Sequence, residues 1–208
     1  MSRMAGVPRA EAGPFVRFVF AMTRRKVKQL TGREARVEPV ELFAHAPRLL
    51  FGYAMVELSF AAKPRVPQRL RALVTLKAAV MQGCEFCRDI GSQEARAAGI
   101  SDEQLLDLHR YRESEHFARE ERLVLDLAVA MTSTPVVVGD ELFGALRERF
   151  DDAQLVELVG LVALENLRSR FNGAFAIGAA GFSDGAVCAR SERLLPDDRE
   201  LTLEQLAS

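Results

Sequence analysis

Leu70-Arg71-Ala72-Leu73-Val74-Thr75-Leu76-Lys77-Ala78-Ala79-Val80-Met81-Gln82-Gly83-Cys84-Glu85-Phe86-Cys87 joins an apolar helical run to a pair of cysteines three residues apart. The pattern Leu70-x-x-Leu73-Val74-x-Leu76 has the spacing of a buried helix face. A second helical pattern begins where this run ends, at Cys84. Side chains at this spacing share one helix face, about 5–6 Å apart at Cβ. A disulfide wants roughly 3.5–4.5 Å, which the first turn of a helix supplies with a small adjustment. The pair is therefore able to close and open. A helix start near Cys84 also offers unpaired N–H groups and a positive dipole end, which lower a thiol pKa from about 8.5 and make a nucleophile at neutral pH. The competing reading is of two small buried hydrophobes, because free cysteine is among the most buried residue types.

The same helical period recurs outward from this stretch in both directions. Candidate helices run over approximately 14–31, 39–45, 48–62, 67–82, 84–98, 102–110, 115–133, 139–149 and 152–179. Pro39, Pro47, Pro64, Pro67, Gly99, Pro135, Gly139 and Gly181 punctuate them. Val136-Val137-Val138 is the lone β-branched cluster and is too short to argue a sheet. The expected fold is all-α. Ser101 and Gln104 form a capping box at one helix start, and Asp151 and Asp152 open the long helix that follows Phe150. Residues 1–35 read as an N-terminal helical extension, 36–182 as the main domain and 183–208 as a polar tail. Pro196 to Glu200 forms a hinge in that tail, which reads as a mobile or partner-binding arm.

A chain of 208 residues, 49% hydrophobic and 27% charged, buries a full core without covalent staples. Three cysteines are too few for a secreted disulfide framework, which favours a reducing cytosol and a catalytic or metal-binding use of Cys84 and Cys87. A formal net charge of −1 excludes bulk attraction to nucleic acid. No stretch is long and uncharged enough to span a membrane. The apolar run Phe15 to Met22 contains Arg17 and precedes Arg24-Arg25-Lys26, the wrong order for a signal peptide, so the expected location is cytoplasmic. That basic run, with Lys28, reads as a solvated helix edge rather than a membrane contact.

The quoted stretch, followed by Glu94-Ala95-Arg96-Ala97-Ala98-Gly99-Ile100-Ser101-Asp102-Glu103-Gln104-Leu105, resembles the carboxymuconolactone decarboxylase and alkylhydroperoxidase-D-like family. His45 to Leu50, Glu120 to Thr134 and Leu155 to Gly173 extend the resemblance, which covers roughly residues 36–182. It implies an all-α alkylhydroperoxidase-D-like bundle assembled as a homo-oligomer, with no cofactor. The cysteine-bearing branch acts on hydroperoxides or passes disulfides to a partner or thiol reductant. Carried over, Cys87 attacks the peroxide and becomes a sulfenic acid, and Cys84 donates the proton and closes the disulfide.

Two departures accompany this resemblance. Peroxidatic members usually carry a Glu and a His as a proton relay where this chain has Ala72 and Gly91. Asp89 is the local catalytic candidate to replace them, with Glu94 behind it, although either also suits a solvated helix position. A weak echo of Leu70-x-x-Leu73-Val74-x-Leu76 in Leu155-x-x-Leu158-Val159-x-Leu161 aligns Cys84 with Ser169 and Cys87 with Asn172. It suggests that Glu165, Asn166 and Asn172 lie on a helix near the motif, from which Glu165 or Asn166 is placed to supply the missing acid or hydrogen bond. The decarboxylating branch fits poorly without the Glu and His. The alternative of another class is a non-catalytic helical interaction protein. His109 and His116 lack the spacing of a helical metal site and would join Cys84 and Cys87 in a zinc set only by tertiary convergence. Cys188 has no evident partner.

Overall fold

The computed structural model describes residues 2–32 and 34–192, and among these the chain forms helices and connecting loops with no strand. Helix starts follow the local chemistry. Pro14 opens α1 (Pro14–Thr31), Pro39 lies in the first turn of α2 (Glu38–Phe43) and Pro47 opens α3 (Pro47–Ala61), positions where a missing N–H costs nothing. α4 (Gln68–Met81) and α5 (Glu85–Ala97) carry the motif. Ser101 caps α6 (Asp102–Asp107) in a reciprocal box with Gln104, and Asp151 caps α9 (Asp152–Ala174) in another with Gln154.

α4 is the central helix, packed against α5, α7 (Arg119–Thr132) and α9. Leu73, Val74, Ala78 and Val80 on α4 are fully buried, and they pack with Val124, Leu125 and Ala128 of α7 and with Leu158 and Val162 of α9. Each buried Leu or Val contributes about 1.5–3 kcal/mol, so this three-helix seam dominates the core. α8 (Asp140–Arg147) closes its far side against α7 and α9. α1 packs on α5 and α3, and its Val27 enters the apolar cluster that holds both cysteines.

Three helix boundaries differ from expectation for tertiary reasons. The helix expected to start at 115 starts at Arg119, because Glu121 turns back to accept the Ala118 N–H at 2.8 Å while pairing with Arg69 at 2.5 Å. The segment expected to run to 110 tightens into a 3₁₀ turn at Leu108–Arg110, where the buried Lys77 ammonium donates to the Leu108 carbonyl at 3.2 Å. The last helix, expected to reach 179, ends at Ala174. The chain reverses with Ala176 at φ 52°, and the Ile177 N–H bonds the Asn172 carbonyl at 3.0 Å.

The first part of the expected tail is not a free arm. The Ala189 N–H bonds Ser92 Oγ, the Glu192 N–H bonds the Val80 carbonyl, and the Glu192 carboxylate pairs with Lys77 Nζ at 2.6 Å. Arg96 also reaches the Val187 carbonyl. The expected hinge at Pro196 to Glu200 and the amphipathic end after it lie outside the described residues.

Candidate active site

Gly83 makes the junction between α4 and α5. At φ 66° it takes the left-handed conformation that a side chain resists, and the Cys84 N–H then reaches back to the Ala79 carbonyl at 3.1 Å, the closing bond of a Schellman stop. Cys84 is thereby left extended as the N-cap of α5, its sulfur accepting the Cys87 N–H at 3.2 Å. The two sulfurs are joined in a disulfide, with 5.3 Å between Cα atoms. Cys84 is 5% and Cys87 6% exposed. Phe86, Ile177 and Phe182 pack in the same cluster, with the Phe86 and Phe182 rings edge to face at 5.5 Å.

α9 supplies the polar side of the site. The Asn172 amide donates to Cys87 Sγ at 3.2 Å and to Cys84 Sγ at 3.5 Å, while its carbonyl oxygen is buried without a hydrogen-bond partner among the described residues. The Ser169 hydroxyl lies 3.7 Å from Cys87 Sγ and 3.2 Å from Glu165 Oε1. Glu165 accepts from Arg168 Nη1 at 2.9 Å, and Arg168 grips Glu57 of α3 with two further bonds at 2.8 and 2.5 Å. Burial pushes the Glu165 carboxyl up to about 7 against the pull of Arg168. Burial also acts on Glu57, but its paired bonds to Arg168 outweigh it and hold that carboxyl below the usual range.

The sequence candidates separate on this geometry. Asp89 is buried, and its carboxylate accepts the backbone N–H groups of Ala180 and Phe182, each at 2.9 Å, and of Ser183 at 2.7 Å. It ties the loop after α9 to α5, with Ser183 Oγ adding a bond to the Asp89 carbonyl at 2.8 Å. Its charge is thus spent on three amides and not on solvent. Glu94 is partly exposed and faces Lys26 at 3.8 Å. Ala72 is buried in the main core, and a Cβ added at Gly91 would stand 3.2 Å from Leu76 Cδ1, so neither position has room for a polar relay without displacing apolar side chains.

Asn166 holds the bundle together: it accepts from Gln82 at 2.6 Å and donates to Thr132 at 3.1 Å and the Val162 carbonyl at 2.9 Å. Glu165 and Asn172 do lie beside the motif helix. In the sequence Ser169 stands out only as the position aligned with Cys84. Spacings of four and three residues across Glu165, Ser169 and Asn172 put all three on one helix face, and that is the signal that finds it. Among the described residues no three His, Cys, Asp or Glu side chains converge as metal ligands would. His109 bonds the Leu106 carbonyl at 2.8 Å, and Cys188 lies 3.5 Å from Ser92 Oγ. No helix among the described residues is long and apolar enough to cross a membrane.

Residues 46–130 match the carboxymuconolactone decarboxylase family. The chain is 42% identical over 112 residues to the uncharacterized protein YnjA of Escherichia coli (strain K12), a match covering 54% of this chain and 62% of that protein. It is 30% identical over 114 residues to the uncharacterized protein YdfG of Bacillus subtilis (strain 168), covering 54% of this chain and 78% of that one. Among solved structures, the debrominase Bmp8 without ligand superposes with a TM-score of 0.73 at 18% identity, over 86% of this chain and 93% of that one. The alkylhydroperoxidase AhpD core of a peroxidase-related protein from Ralstonia eutropha JMP134 gives 0.70 at 17% identity, over 86% and 92%. At these identities the two structures share the helical fold.

Proposed function

The chain belongs to the carboxymuconolactone decarboxylase family, and from that premise we propose that it is a thiol-dependent peroxidase or disulfide oxidoreductase working through a reversible Cys84–Cys87 disulfide. The observation that carries this reading is the disulfide itself, set at the first turn of α5 with hydrogen-bond donors from α9 directed at both sulfurs. A structural staple would need none of that polar surround.

In the reduced state the Cys87 thiolate attacks the terminal oxygen of a hydroperoxide. A sulfur–oxygen bond forms, the oxygen–oxygen bond breaks and the departing alkoxide takes a proton, leaving a sulfenic acid and an alcohol. The Cys84 sulfur then attacks Cys87, expelling water and closing the disulfide. A dithiol reductant returns two electrons and two protons. Cys87 takes the attacking role because both Asn172 and Ser169 reach its sulfur, whereas Cys84 Sγ caps the helix by accepting the Cys87 N–H. Asn172 stabilises negative charge on either sulfur and so serves both thiolates in turn. The same reading assigns the chemistry to the 36–182 domain of a cytoplasmic homo-oligomer acting on a small peroxide or a partner's disulfide, with no cofactor.

The test is stoichiometric peroxide applied to the reduced protein, followed by intact mass and sulfenic-acid trapping. Wild type should consume one equivalent and close the Cys84–Cys87 bond. Cys84→Ser should still consume one equivalent and trap a sulfenic acid, and Cys87→Ser should consume almost none. A reduced wild-type protein that neither consumes peroxide nor exchanges with a disulfide would overturn the proposal.

A further inference from the structure

We propose that Glu165, acting through the Ser169 hydroxyl, is the proton-transfer partner of Cys87, so that the dithiol draws its acid and base from α9 rather than from positions 72 and 91. The inference rests on the thiol-redox reading and deepens it. Ser169 stands between the two groups, 3.7 Å from the Cys87 sulfur and 3.2 Å from a Glu165 oxygen. A hydroxyl has one proton and two lone pairs, so it donates to one neighbour while accepting from the other. Glu165, Ser169 and Cys87 are only 4, 4 and 6% exposed. A proton leaving or reaching Cys87 therefore needs a protein carrier. Cys84, the donor that the family resemblance implies, gives its own proton to the water expelled when the disulfide closes, and the other candidates are engaged elsewhere. Asp89 is held by three amides, Asn166 ties three helices together, and Ala72 and Gly91 carry no polar group.

The charges around Glu165 suit it to carry a proton. Arg168 is one cation shared between two carboxylates, and Glu57 of α3 holds it by two bonds against one from Glu165. Tyr53 of α3 borders the same cluster, Glu94 of α5 adds a like charge, and Lys26 of α1 pairs with Glu94. One carboxylate is in excess, and protonating Glu165 removes it. The upward shift of this carboxyl to about 7 agrees with that balance.

The transfers balance in both directions. When Cys87 ionises, its S–H proton passes to Ser169 Oγ as the Ser169 proton passes to the Glu165 carboxylate, leaving a thiolate and a carboxylic acid. That stored proton matches the one the departing alkoxide requires. When a reductant thiolate attacks Cys84 in the disulfide, a bond forms to Cys84, the Cys84–Cys87 bond breaks, and the Cys87 thiolate is protonated along the same path.

The test titrates Cys87 in the full chain with Cys84→Ser and Cys188→Ser, following thiolate absorbance with pH and needing no substrate. With Glu165 present the ionisation should spread over two coupled steps, one of them near pH 7. Glu165→Gln and Ser169→Ala should each collapse it to a single step. In the protein that retains Cys84, both variants should slow peroxide consumption about 10²-fold, the lower end of the effect of a positioned acid or base. A purely structural role would leave the shape of the titration unchanged, and an unchanged titration in folded variants would overturn the proposal. Ser169→Ala loses only a hydroxyl and carries the test should Glu165→Gln fail to fold. A two-step titration abolished by these variants in a protein that consumes no peroxide would sustain the coupling and count against the proposed activity alone.

Discussion

Asp89 and Glu165 are both 4% exposed, yet their surroundings set them opposite tasks. Asp89 is solvated by three amide N–H groups from residues 180–183, and hydrogen bonds to a charged group contribute about 1.5–3 kcal/mol each before the cost of burial. Asp89→Asn puts an NH₂ where an acceptor is needed. It should destabilise the fold by about 2–3 kcal/mol and loosen the loop whose Phe182 covers Phe86. Thermal melting and the rate of disulfide reduction by a small dithiol check this: the melting temperature should fall and reduction should quicken. Glu165 lacks such solvation. Because its folded pKa is raised from 4.5 to about 7, the folded state binds the proton more tightly than the unfolded chain. Its contribution to stability is full below about pH 4.5 and is lost as pH rises through 7. Glu57, shifted the other way, acts on the acid side of 4.5, so the two windows separate. The melting temperature of the wild type should decline from pH 5 to pH 8, and Glu165→Gln should flatten that decline.

At the scale of elements, the junction between α4 and α5 is decided within six residues. Gly83 at positive φ stops one helix, Cys84 caps the next, and the sulfur serving as cap is half of the redox pair. Gly83→Ala forces a side chain into the left-handed region at about 1–2 kcal/mol and re-aims Cys84. It should lower the melting temperature and also leave more Cys84 and Cys87 reduced at a set ratio of reduced to oxidised dithiothreitol. An unchanged redox equilibrium would separate the turn from the disulfide geometry. α9 contributes differently: its period brings Glu165, Ser169 and Asn172 to the dithiol while Leu158 and Val162 enter the core seam. One helix thus anchors the bundle and lines the site.

Across the molecule, exposed large apolar side chains among the described residues lie on α3, on α1, on the outer face of α9 and around α8. Leu49, Phe51, Met55, Val56 and Leu58 are 44–57% exposed, and Val156 and Leu167 are 73% and 50%. Among the phenylalanines of α1 and α3, Phe20 is buried and Phe60 packs on the core, whereas Phe15, Phe18 and Phe51 remain exposed. Exposure of this kind suits an interaction surface, and we propose a second copy of the chain as its occupant. Light scattering at micromolar concentration should give a multiple of 23.0 kDa. Leu58→Glu should shift it toward the monomer, and a wild-type monomer would defeat the expectation.

The helix period around Leu73 and Leu158, the caps at Ser101 and Asp151 and the pairing of Cys84 with Cys87 were legible in the linear chain because each is set within about one or two helical turns. The echo of the Leu70 run in the Leu155 run also places Glu165 and Asn172 near the motif. The roles of the carboxylates were not legible in the same way. Its place two residues from Cys87 makes Asp89 a local catalytic candidate in the sequence, but its three amide partners lie 91 to 94 residues away. Ser169 approaches Cys87 across 82 residues, and α9 ends at Ala174, where the chain reverses toward the loop that Asp89 holds. Burial and charge balance decide what a carboxylate does, and both depend on helices packed from distant parts of the chain. Local spacing therefore specified the helices and the reactive pair, while the packing of α9 and its following loop against α5 decided which polar groups face the sulfurs.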